Sequence, residues 1–89
     1  MIKKASILNY DFRMELSTNS IIIHGNDNNF NIICARIISK KLRISQIKEK
    51  NRITINDDNT VSIILTNNDY KKMKLGYFND FPCYLHYKR

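Results

Sequence analysis

A chain of 89 residues, 43% hydrophobic with two Gly and one Pro, has room for one domain with a modest core and is too apolar to stay disordered. Fifteen Lys and Arg against eight Asp and Glu leave a formal charge of +7, a field that favours nucleic acid, an acidic protein face or an anionic membrane surface as partner. Two cysteines are too few for a disulfide framework, and no run approaches the ~20 apolar residues that cross a bilayer, so the expectation is a cytoplasmic protein that does not enter a membrane.

The basic start Met1–Leu8 runs into Asn9, Asp11, Arg13 and Glu15, which interrupts any signal-peptide apolar stretch. From Leu8 onward the even positions are Leu8, Tyr10, Phe12, Met14 and Leu16, and the odd ones are polar. Side chains alternate faces along a strand, so this pattern predicts a strand over 8–16 with one apolar face. Ser17–Ser20 reads as a turn, followed by a short buried strand at Ile21–Ile23.

Gly25–Asn29 breaks the strand and supplies residues able to cap a helix. Phe30, Ile33, Cys34, Ile37, Ile38 and Leu42 then recur at helical spacing, while Asn31, Arg36, Ser39, Lys40 and Arg43 fall off that stripe. An amphipathic helix is expected over 29–42, with basic residues in the last turn where the helix dipole favours them. Residues 44–51 read equally as a helical continuation or a connection.

Arg52–Asn56 and Thr60–Thr66 flank Asp57, Asp58 and Asn59, the pattern of a β-hairpin. Asn67 or Asn68 is placed to cap a short helix through Met73. The aromatic stretch 75–87 is expected to supply a final strand or two, with Pro82 at an edge or bend. The whole predicts a single α+β domain over 1–89, a mostly antiparallel sheet with one main amphipathic helix. Its element order is ferredoxin-like with an extra N-terminal strand.

Candidate chemistry thins out on inspection. Gly25 sits where a phosphate-binding loop begins, but Phe30, Asn31 and Ile32 replace the second Gly, the Lys and the hydroxyl that such a loop needs. Cys83 and His86 have a workable spacing for two zinc ligands, yet Cys34 and His24 form no second pair, and Cys34 lies on the apolar stripe. His24 with Asp27 lacks a nucleophile or a second carboxylate, and Asp27 is accounted for as a helix cap. The expectation is therefore a protein without enzymatic activity, cofactor or metal. The ferredoxin-like order also suggests an RNA-recognition motif, but the expected strands 21–24 and 52–56 carry none of its aromatic residues.

Charge patterning gives the functional lead. Lys40, Lys41, Arg43, Lys48, Lys50 and Arg52 are opposed only by Glu49, and Lys71, Lys72 and Lys74 form a second group. Clustered cations neutralise phosphates and release counterions, and Tyr77 beside the second group is a candidate for stacking on a base. These residues predict a non-enzymatic module that binds nucleic acid or a nucleoprotein complex. One alternative is an inhibitor or adaptor docking on an acidic protein surface, because size and composition also suit phage or virus accessory factors, including counter-defence proteins of the anti-CRISPR kind. The other is a structural component of a ribonucleoprotein.

Overall fold

The computed structural model describes residues 2–42, 52–72, 78 and 84–85. The elements run β1 (Ile2–Ile7), β2 (Tyr10–Leu16), β3 (Ser20–His24), α1 (Asn28–Lys41), β4 (Ile53–Ile55), β5 (Val61–Ile64), α2 (Asn67–Lys72) and β6 (Tyr84–Leu85). The strands form one sheet in the order β4-β5-β3-β2-β1-β6. The first five in that order are antiparallel to their neighbours, and β6 lies parallel to β1 at the far edge. This is a small α+β domain.

The alternation that begins at Leu8 belongs to two structures. Leu8 and Asn9 have φ of 52° and 65° and turn the chain from β1 into β2. A two-residue turn with both φ positive matches the twist of the strands it joins, which is why it suits a tight hairpin. Leu8 is consequently 47% exposed rather than part of the core. The strand proper starts at Tyr10, and its Phe12 and Met14 are buried as the alternation requires.

β1 is a strand that the sequence pattern did not announce. Pairing places Ala5 opposite Phe12 and Ile7 opposite Tyr10, so Lys3, opposite Met14, occupies an inward-facing register position. Its ammonium donates to the Phe78 carbonyl at 3.1 Å. A lysine among the inward positions breaks the apolar alternation that reveals a strand.

The inward face continues through Ile21, Ile23, Val61 and Ile63, which pair across β3 and β5. These residues form one buried cluster with Cys34, Ala35, Ile37, Ile38 and Leu42. Burying a side chain of this size contributes ~1.5–3 kcal/mol, and α1 is held to β3, β4 and β5 by this face. The helix is rotated from the stripe expected of it. Phe30 and Ile33 are 39% and 36% exposed, while the polar Asn31 is fully buried.

Asp27 caps α1 as expected, its carboxylate accepting from the amides of Asn29 and Phe30 at 2.9 and 3.2 Å. The second helix is capped differently from expectation. Thr66, not Asn67 or Asn68, accepts from the Asp69 amide at 3.1 Å while Asp69 accepts from the Thr66 amide at 3.2 Å. This is the reciprocal arrangement of a capping box.

β3, α1 and β4 with β5 antiparallel between them make a split β-α-β unit, half of the ferredoxin-like order. The other half departs from it. The free edge of β3 is filled by the β1–β2 hairpin, which leaves β6 only the outer edge of β1.

Candidate functional site

α1 follows β3 after residues 25–27 and packs back along β3, β4 and β5. Its C-terminus therefore lies at the end of the sheet where β3 and β4 begin and β5 runs into α2. Lys40, Lys41, Arg52, Lys71 and Lys72 belong to that end. The opposite end holds the β1–β2 turn, the start of α1 and the β4–β5 turn, with Asp11, Asp27, Asp57 and Asp58.

Lys40 and Lys41 are exposed, as are Arg36 and Lys71. No acidic residue occurs anywhere in α1, so Arg36 and Lys40, four residues apart, stand as a like-charge pair that a helix tolerates at a small cost. Arg52 is placed otherwise. Its side chain is 11% exposed and ion-paired with the buried Asp69, and it also donates to the Ile64 carbonyl at 3.0 Å. Its charge is compensated inside the fold, where it ties the start of β4 to the cap of α2. Arg43, Lys48, Lys50, Lys74 and Tyr77 lie outside the described residues, as do Cys83 and His86.

The junction that resembled a phosphate-binding loop is a hydrogen-bonded hub. The Tyr10 hydroxyl donates to Asn31 Oδ1 at 2.8 Å and accepts from the Asp27 amide at 2.9 Å. Asn31 Nδ2 donates to the carbonyls of Gly25 at 3.1 Å and Asn59 at 3.4 Å. One buried amide so connects β2, the loop before α1 and the β4–β5 turn. Gly25 is required by proximity, because a Cβ there would fall 2.2 Å from the Tyr10 hydroxyl and 2.3 Å from Asn31 Oδ1. The Tyr10 ring also stacks on Phe30 at 5.0 Å and Phe12 at 6.0 Å. The first amides of α1, which a phosphate-binding loop would turn on its ligand, donate instead to Asp27.

Cys34 is fully buried in the core, and burial pushes its thiol from the ordinary 9.0 up to about 11. It is a neutral packing residue at ordinary pH. Among the described residues, no three His, Cys, Asp or Glu side chains come together as a metal site. At the β4–β5 turn, the hydroxyl and amide of Thr60 donate to Asp58 at 2.6 and 3.1 Å and hold its carboxyl below the usual range.

The sheet face opposite α1 carries an arrangement that charge counting along the chain did not find. Lys4 pairs with Arg13, and Arg13 pairs with His24, so three basic residues stand in a row across β1, β2 and β3. His24 Nε2 lies 2.9 Å from Glu15 Oε1. The row borders an open groove of about 650 Å³ lined by Lys4, Asp11, Arg13, His24, Asn26 and Thr60, among others. Only the register between strands reveals it, because the three residues are nine and eleven positions apart in the chain.

No helix among the described residues is long and apolar enough to cross a membrane. No protein-family model, curated protein or solved structure matches this chain.

Proposed function

We propose that the domain is a non-enzymatic binding module that docks on nucleic acid or a nucleoprotein complex through its basic surface. The observation that carries this reading is the charge of α1, which no acid among the described residues pairs with. Arg36, Lys40 and Lys41 are exposed on a helix without an acid, and Lys71 adds an exposed cation at the same end of the sheet. A surface of this kind neutralises phosphates and draws polyanions by long-range attraction. Arg52, held by Asp69, serves to build the end of the sheet rather than to meet the partner.

The test is a binding series with single- and double-stranded DNA and RNA at ~150 mM salt and across a salt gradient. Wild-type protein binds at least one of the four, and Lys40→Ala with Lys41→Ala flattens the slope of log affinity against log salt by about 0.7–0.9 per lost contact. Absence of binding to all four, together with a salt-resistant protein partner recovered after nuclease treatment, would replace this reading with that of an adaptor on an acidic protein face.

A further inference from the structure

The open sheet face pairs like charges where a sheet ordinarily avoids them. Lys4 and Arg13 are directly opposite on adjacent strands, an arrangement that costs stability unless something negative lies between them. Both are exposed, and neither makes an ion pair or side-chain hydrogen bond among the described residues. Glu15, the acid best placed to relieve them, is engaged by His24. Asp11 lies two residues from Arg13 on the same face, ~7 Å along the strand, and lines the same groove. The groove therefore offers a pair of unpaired cations, with a hydrogen-bond-accepting carboxylate displaced to one side.

We propose that this groove binds one nucleotide of a nucleic-acid strand, its phosphate held between Lys4 and Arg13 and a ribose hydroxyl or base amino group donated to Asp11. The proposal rests on the nucleic-acid reading above and assigns it a second contact, on a face distinct from the α1 end. Guanidinium and ammonium complement each other here. Arg13 presents a planar fork to the two non-bridging phosphate oxygens, and Lys4 brings a point charge to one of them from the other side. Phosphate between them removes the like-charge cost, so occupied protein is more stable than empty protein. Asp11 repels a bare phosphate and accepts from a nucleoside, so the groove discriminates nucleotide from inorganic phosphate. The cation row spans adjacent strands at ~4.8 Å steps, which directs the nucleic-acid backbone across the strands rather than along them.

The experiment compares wild type, Lys4→Ala with Arg13→Ala, Lys40→Ala with Lys41→Ala, and Asp11→Ala, each checked for folding by circular dichroism. The probes are labelled oligo(dA), which carries a base amino group, and oligo(U), which carries a ribose hydroxyl, followed by fluorescence anisotropy across salt, and a nucleoside monophosphate and inorganic phosphate, followed by amide chemical shifts. The Lys4/Arg13 variant is expected to flatten the salt slope by about 0.7, one single-strand phosphate contact. In wild type, the monophosphate shifts the amides of Lys4, Asp11, Arg13 and His24. Asp11→Ala narrows the preference for monophosphate over inorganic phosphate by tightening the latter. If the folded Lys4/Arg13 variant binds as wild type while the Lys40/Lys41 variant is weakened, the groove is overturned and the functional reading stands. If wild type binds neither oligonucleotide nor the monophosphate, both fall. Amide shifts confined to the α1 end also overturn the groove.

Discussion

A double-mutant cycle on Tyr10 and Asn31 tests whether the buried amide holds the junction together. Tyr10→Phe removes a donation to Asn31 at 2.8 Å and an acceptance from the Asp27 amide at 2.9 Å while keeping the ring in its stack. At a net ~1 ± 0.5 kcal/mol per hydrogen bond, the expected cost is about 1–3 kcal/mol. Asn31→Ala removes three bonds, to Tyr10, Gly25 and Asn59, at a fully buried position. Partner groups left without water raise that cost, and the better helix propensity of Ala returns up to ~0.7 kcal/mol, for a net of about 2–4 kcal/mol. The two changes share one bond, so the double variant should cost about 1 kcal/mol less than the sum. Urea denaturation with an unchanged m-value reads all three differences. Additivity within ~0.3 kcal/mol would refute the shared bond and leave the junction to the Tyr10–Phe30 stack.

Four further outcomes follow from the same structure. Phe12→Ala should cost about 3–5 kcal/mol and Arg13→Ala no more than about 0.5, because adjacent residues of β2 face opposite sides; equal costs in thermal melts would invert the strand. Asp69→Ala should cost about 3–5 kcal/mol by stranding the largely buried Arg52 and removing the α2 cap, and a change below ~0.5 kcal/mol would show that the pair is not buried in solution. Cys34 should resist a thiol reagent near neutral pH in folded protein and react once it is unfolded. Its folded pKa of about 11 lies above the ordinary 9.0, so its contribution to stability is full below 9.0 and is lost as pH rises through about 11. Cys34→Val should remove that part of the alkaline destabilisation, and an unchanged pH profile would count against it.

The sequence by itself determined the features that depend on neighbours in the chain. The alternation from Tyr10 to Leu16, the Asp27 cap and the hairpin around Asp57–Asn59 rest on period-two burial and local backbone hydrogen bonds. Each is complete within a few residues, so each is legible without the fold. Cys34 as a core residue was readable for the same reason, from its place on the helical stripe.

The tertiary structure decided everything that depends on which strands become neighbours. β1 hides behind Lys3, whose inward position is tolerated because its ammonium donates a hydrogen bond to the Phe78 carbonyl, 75 residues away. The phase of α1 was misread because Asn31 resembles a solvent-facing residue until Tyr10, Gly25 and Asn59 converge on it. Arg52 counted as part of a basic run, but Asp69, seventeen residues on, takes up its charge. The row of Lys4, Arg13 and His24 exists only through strand register. A charge acts through space rather than along the chain, so pairing across the sheet determines which cations are spent inside the fold and which stay exposed on its surface.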